Sequence, residues 1–139
     1  MLVAPRPVLP PSIDDDLFFF RDSDVPPSLP DDPLFRIDAT SWKMECPHSA
    51  HIIVNHLLQF MLGNADSPDT SVDITKISRT KFAIKANVQK EGVECSLKVR
   101  LYKTCSGFIL EFQRRSGDTL TFHDIYRSAL KEIQHLLLL

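Results

Sequence analysis

The sequence predicts an α+β fold, a two-layer sandwich in which a four- to five-stranded, mostly antiparallel sheet carries two helices on one face. Apolar residues alternate through 95–101 and again through 108–112, which is the period of two that a half-buried strand requires. After 116–117 the apolar residues of 122–137 recur on one side of a helix, which predicts an amphipathic helix. Asp118 is placed to cap its first turn. This helix and an earlier one need the same apolar sheet face, which implies two layers.

The first predicted strand spans residues 35–46. Its apolar residues alternate with one change of phase, which predicts a bulge or a kink near 40–41. Pro47 suits the first turn of the helix that follows, and Gly63 suits its end. The apolar residues between these two positions give the helix a wide buried face.

The remaining strands follow a polar loop at 64–71. Residues 72–78 give a weak strand pattern and 82–88 a clean one, which turns at Gly92 into the strand at 95–101. The short link that ends in Gly107 then predicts a hairpin to the last strand.

Composition divides the 139-residue chain into an arm and one domain. Residues 1–33 hold eight of the ten prolines and no periodic apolar face, so we expect a disordered acidic arm there and a folded domain over 34–139. Two basic and seven acidic side chains give the arm a formal charge of −5, while 14 basic and 11 acidic side chains give the domain +3. A modestly basic domain suits an anionic or acidic partner.

Within the arm, residues 13–20 run from an acidic cluster into apolar side chains. One interpretation is a docking motif whose aromatic side chains enter a groove of a partner. The other is a segment that folds back on its own domain. The residues of the candidate docking motif are Leu17, Phe18, Phe19 and Phe20.

No residue pattern points to catalysis, to a cofactor or to a metal. Cys46, His48 and His51 form the one cluster of soft ligands, and no second Cys/His pair follows them in the sequence. The sequence contains no glycine-rich phosphate-binding loop and no nucleophile in a recognisable strand-turn-helix setting. We therefore expect neither an enzyme nor a bound cofactor or metal.

Basic side chains on the predicted strands are the candidates for a binding surface. If the strands pair as a meander, Lys85 shares a sheet face with Lys98 and Arg100. A solvated sheet face is one interpretation, and a phosphate- or carboxylate-binding surface is the other. Nucleic acid is not the expected partner, because the excess charge is small and exposed stacking aromatics are not evident.

The C-terminal strands and helix resemble a known family. Residues 101–103 read L-Y-K, and 108–117 contain the pattern F-x-R-x-S-G before an aromatic and apolar helix. These features resemble the C-terminal kinase-associated domain of AMP-activated, sucrose-nonfermenting-type and microtubule-affinity-regulating kinases. The resemblance covers about 40–139, since Trp42 followed by a strand and a helix is similar to the opening of that domain.

The resemblance implies a four-stranded sheet with two helices on one face and a regulatory role. Relatives of this domain bind anionic phospholipid through basic surface residues, restrain a kinase domain or dock regulatory subunits. Carried over by position, the lipid- or partner-facing residues are Lys98, Arg100, Arg114 and Arg115. With Lys85 from the strand pattern, these form the predicted partner- or anion-binding set.

The sequence thus predicts a non-enzymatic regulatory module that docks a protein partner, a kinase domain or regulatory subunit, in a serine/threonine kinase complex. Peripheral binding to anionic phospholipid is the alternative. A second alternative is a fragment of a larger protein kinase whose catalytic domain is absent from this chain. The expected location is cytoplasmic, with a membrane surface or the nucleus as alternatives, because no stretch approaches the roughly 20 apolar residues of a membrane span.

Overall fold

The computed structural model describes residues 19–32, 34–45, 48–63 and 68–138. In chain order the elements are a strand, a helix, four strands and a second helix. Their bounds are β1 Ser41–Met44, α1 Ala50–Leu62, β2 Thr70–Ser78, β3 Ala83–Lys90, β4 Val93–Lys103, β5 Phe108–Gly117 and α2 Thr119–Leu137.

The five strands form one antiparallel sheet in the order β1-β5-β4-β3-β2. The β3–β4 hairpin turns at Glu91 and Gly92, whose φ angles of 52° and 80° are both positive, as a two-residue type I′ turn requires. The β4–β5 loop is closed by a hydrogen bond of 2.9 Å from Thr104 N to Gly107 O. The predicted fold class, an α+β sandwich of an antiparallel sheet and two helices, is confirmed.

One hydrophobic core lies between the sheet and the two helices. The alternating apolar residues of β3 and β4 meet there as cross-strand partners, for example Ile84 with Val99 and Ala86 with Leu97. The buried residues of the helices are Ala50, Ile53, Val54, Leu57, Leu58 and Met61 in α1, and Thr121, Phe122, Ile125, Ala129, Ile133 and Leu136 in α2. Because the helices cover this inner face, Lys85, Lys98 and Arg100 lie on the outer face, whereas Lys90, at the end of β3, reaches Asp124 of α2 at 3.0 Å.

β1 is shorter than the strand predicted over 35–46. Residues 35–40 cross one end of the outer sheet face and form no strand. The ring of Phe35 packs edge-to-face on Tyr102 at 5.8 Å, and Asp38 N donates a hydrogen bond of 2.7 Å to the buried Glu111 carboxylate. Phe35 of the predicted alternation therefore packs on the sheet face without belonging to a strand, whereas Ala39 is exposed.

The described part of the N-terminal arm does not fit the prediction of a disordered segment. Phe20 is 3% exposed, and its ring packs against Phe82 with the centroids 4.5 Å apart and the ring planes tilted by 40°. Its backbone N–H and C=O both form hydrogen bonds with the Asn55 side chain, at 2.7 and 2.8 Å. These contacts make Phe20 part of the domain core.

Farther along the same segment, the backbone pairs with the end of β4. Lys103 N donates to Pro27 O at 2.8 Å, and Leu29 N donates to Lys103 O at 3.1 Å. The segment thus runs from the core, around the end of the sheet, to the outer face. A proline-rich chain carries no periodic pattern that could announce such isolated contacts, so sequence reasoning missed them. Residues 1–18 lie outside the described residues.

Candidate functional site

Three lysines lie side by side on the outer face of the sheet. Lys76 in β2, Lys85 in β3 and Lys98 in β4 are direct cross-strand partners. At such positions the Cβ atoms are about 4.5–5.5 Å apart, and like charges destabilise the pairing. We call these three residues the lysine row.

The lysine row borders a small cleft of about 60 Å³. Small side chains leave this space open, because Ser78 and Ala83 are cross-strand partners at the neighbouring position. The residues that line this lysine cleft are Lys76, Ser78, Lys81, Ala83, Lys85 and Lys98. Its lining contains no carboxylate, and among the described residues no ion pair joins one of its lysines to an acidic side chain.

A bulge in β2 turns Lys76 to the outer face. The register shifts between Ile74 and Lys76, and the extra residue, Thr75, donates its hydroxyl hydrogen bond to Lys85 O at 3.2 Å. In an unbroken strand Lys76 would follow Ile74 toward the core, and Ile77 would point outward. Sequence reasoning missed Lys76 for this reason. The available signal was a lysine at a core position of the pattern, which itself indicates a bulge.

Partial burial and the neighbouring cations together lower the pKa of Lys98. Partial burial is the largest cause, followed by the charges of Arg100 and Lys85 and then those of Arg115 and Lys81. All four neighbours disfavour the protonated ammonium, so positive potential is concentrated at this part of the sheet. A bound anion would favour the charged form again.

Arg100 extends the positive surface toward the N-terminal segment. Its guanidinium carbon lies 4.7 Å from the centroid of the Tyr102 ring, a cation–π contact. Across the β4–β5 ladder Arg100 faces Glu111, which is 1% exposed and accepts hydrogen bonds from Asp38 N and the Gln113 amide. Arg100 therefore has a carboxylate as its cross-strand partner, whereas the lysine row has none.

The structure brings together three members of the predicted anion-binding set, Lys85, Lys98 and Arg100. It places Arg114 elsewhere, because the cross-strand partner of Arg114 is the inner-face residue Leu97. Arg114 donates a hydrogen bond of 3.0 Å to Gly117 O. The β4–β5 register shifts at this point and leaves Arg115 without a partner in the ladder, while its charge still acts on Lys98.

The residues of the candidate docking motif are not presented to a partner where the structure describes them. Phe20 is buried, and Phe19 is partly buried against the same core. The alternative in which the segment folds back on its own domain therefore holds for these two residues. Leu17 and Phe18 lie outside the described residues.

A larger depression of about 420 Å³ adjoins the lysine cleft on the same face. Two residues beyond the lysines on the same face of β3 and β4, Asn87 and Ser96 are cross-strand partners. Gln89 and Glu94 are partners two residues farther along. Hydroxyl, amide and carboxylate groups line this polar groove, among them Asp73, Asn87, Gln89, Glu94, Ser96 and Ser116.

Comparison of the chain with family models, with curated proteins and with solved structures finds no match. The resemblance to the kinase-associated domain therefore stays a prediction, and function has to be inferred from the outer sheet face itself. None of the described helices is long and apolar enough to cross a membrane. Among the residues that the structure describes, no three His, Cys, Asp or Glu side chains form a group that could hold a metal ion.

Proposed function

We propose that the chain is a non-enzymatic interaction module that docks an acidic segment of a protein partner in its lysine cleft. The lysine row is the observation that carries this proposal. Three like charges on adjacent strands, with no counter-charge in the cleft, weaken the sheet on their own. An acidic ligand would offset that cost, and a feature that opposes folding without an evident compensation is typical of a functional site.

The shape of the site favours a protein segment over a membrane surface. Peripheral membrane binding usually combines basic residues with apolar side chains that enter the bilayer. Here the lysines line a cleft, and none of the large exposed apolar side chains of the described residues lines it. Those side chains are Val25, Leu34, Ile52, Val93, Leu120 and Leu138. A kinase domain or regulatory subunit, the kind of partner that the family resemblance implies, would have to present an acidic segment to this cleft.

Titration of the isotope-labelled full chain with a short glutamate-rich peptide, followed by nuclear magnetic resonance, tests the proposal. We expect amide shifts concentrated around the lysine row, and they should weaken as salt is added. Lys85→Glu should abolish them. Lys131→Glu, the same charge change at an exposed position of α2, should leave them in place. Shifts that spread evenly over the surface, or that survive Lys85→Glu, would contradict the proposal.

Sedimentation with lipid vesicles tests the alternative that the chain binds an anionic membrane. Vesicles rich in phosphatidylserine should not sediment the full chain at a salt concentration where the peptide still binds. Basic contacts contribute about 1 kcal/mol each near an anionic membrane, so genuine membrane binding would be readily detected at low salt. Sedimentation with the vesicles, without any binding of the peptide, would replace the protein partner by a lipid surface.

A further inference from the structure

We propose that the group bound in the lysine cleft is a phosphate monoester, carried by an extended polar peptide whose flanking residues lie in the polar groove. This inference rests on the proposed function and specifies the ligand of the same site. It follows from the charge and size of the cleft and from the chemistry of the groove beside it.

Charge and donor chemistry favour phosphate over carboxylate. The cleft is lined by four lysines, and each ammonium is a compact charge with three rotatable N–H donors. A carboxylate brings one negative charge, whereas a phosphate monoester brings about −1.5 to −2 and three strong acceptor oxygens at neutral pH. Lysine is a common phosphate ligand that acts as a point charge, and the cleft lining contains lysines and no arginine.

The size of the cleft limits what it can hold. Its volume is about 60 Å³, against about 420 Å³ for the polar groove, and this suits a single small group. Ser78 adds a hydroxyl to the wall. That hydroxyl lies 3.3 Å from Thr80 Oγ1 and accepts a hydrogen bond of 3.3 Å from Lys81 N, so the turn holds it in position. Most of any larger ligand must therefore lie outside the cleft.

The polar groove offers a place for the rest of the ligand. Side chains on one face of a strand repeat about every 6.6 Å, so the two steps of the groove lie about 7 and 13 Å from the lysine row. An extended peptide spans these distances in about two to four residues. The amides of Asn87 and Gln89 and the hydroxyl of Ser96 can pair with its backbone N–H and C=O groups.

Two carboxylates in the groove predict a sequence preference. Asp73 is the cross-strand partner of Asn87, and Glu94 is the partner of Gln89. Neither carboxylate forms an ion pair with another described residue. They favour a basic side chain of the ligand and repel an acidic one. The fitting peptide therefore has its phosphate at one position and a basic residue about two to four positions away, on one side only. The same carboxylates would oppose a uniformly anionic surface such as a membrane.

Fluorescence anisotropy of labelled peptides with the full chain tests the phosphate assignment. The probes are short peptides of alanine, serine and glycine that carry phosphoserine, glutamate or serine at the centre. We expect the phosphoserine peptide to bind at least about tenfold more tightly than the glutamate peptide, since it offers more charge-assisted hydrogen bonds. Lys98→Gln should weaken phosphoserine binding about tenfold, whereas Lys131→Gln should leave it unchanged.

Equal affinity for phosphoserine and glutamate would overturn the phosphate assignment and leave the proposed function standing. Absence of binding to both peptides would overturn both. An affinity for phosphoserine that Lys98→Gln leaves unchanged would place the phosphate outside the cleft.

A lysine scan tests the groove. Lysine placed two to four residues from the phosphoserine should strengthen binding several-fold on one side of it and not on the other. Asp73→Asn, at an exposed position, should reduce that gain, whereas Lys131→Gln should leave it in place. A gain in affinity that is equal on both sides of the phosphoserine, or that Asp73→Asn leaves unchanged, would contradict the placement of the flanking residues in the polar groove. Tighter binding to vesicles that contain a phosphoinositide than to any peptide would replace the phosphopeptide by a lipid headgroup.

Discussion

Replacing Lys85 by glutamate should stabilise the fold while it abolishes binding of acidic ligands. Lys85 is the centre of the lysine row, with Lys76 on one side and Lys98 on the other. The substitution converts two repulsive cross-strand pairs into two attractive ones. Each opposite-charge pair contributes roughly 0.2–1 kcal/mol, and like charges act in the other direction. Glutamate and lysine have similar strand propensities, so the charge effect dominates.

After a discount for solvent screening at these half-exposed positions, the expected gain is about 1–2 kcal/mol in the free energy of unfolding. Urea denaturation at low salt measures it, and the gain should shrink at high salt because the charges are screened. Lys43→Glu is the matched control, since Lys43 lies on β1 opposite the uncharged Ile109. A destabilised Lys85→Glu variant, or a gain that salt does not reduce, would refute the reasoning that these lysines repel one another.

Two other predictions concern the N-terminal segment and the cap of α2. Phe20→Ala should lower the stability by up to about 3 kcal/mol, because the buried ring packs against Phe82, but the segment can detach before the domain unfolds. An unchanged thermal melt would mean that Phe20 does not belong to the core. Hydrogen bonds from the backbone N–H and the hydroxyl of Thr121 lower the pKa of Asp118 below its ordinary value of 3.8. The stability that Asp118→Ala removes should therefore be full above pH 3.8 and vanish as the pH falls through the lowered pKa, and a pH-independent difference between the two proteins would contradict this role.

The elements with a regular period could be predicted from the sequence. The apolar alternation of β4 and β5 and the stripe of α2 are set by local geometry, and the burial of Leu97, Val99 and Phe112 follows from it. The cap at Asp118 was predictable for the same reason, since a short polar side chain at that position accepts the free N–H groups of the first turn. Lys85, Lys98 and Arg100 could be placed on one face because the strands between them form a simple meander.

The bulges in β2 and β5 were not predicted, and the bulge in β2 determines part of the site. One extra residue moves every later side chain of the strand to the other face. Thr75 in this way brings Lys76 into the lysine row, and Arg115 places Ser116 opposite Ser96. The position of Arg114 opposite Leu97 follows instead from the regular period, because Arg114 continues the face of Leu110 and Phe112. The return of the N-terminal segment to the domain was one of two open interpretations, but the residues that it contacts could not be predicted. Phe20 packs through long-range contacts that leave no periodic trace in its own sequence.

Stability and affinity are linked through the lysine row. Paired strands hold the three ammonium groups beside one another before any ligand arrives, so their mutual repulsion weakens the free protein. A dianionic ligand removes that repulsion when it binds, and little has to be ordered at that moment because the strands already fix the backbone. The stability that Lys85→Glu gains and the affinity that it loses therefore have a common electrostatic origin. For the same reason ligand should raise the melting temperature of the wild-type chain and leave that of Lys85→Glu unchanged, since only a ligand that binds the folded state stabilises it.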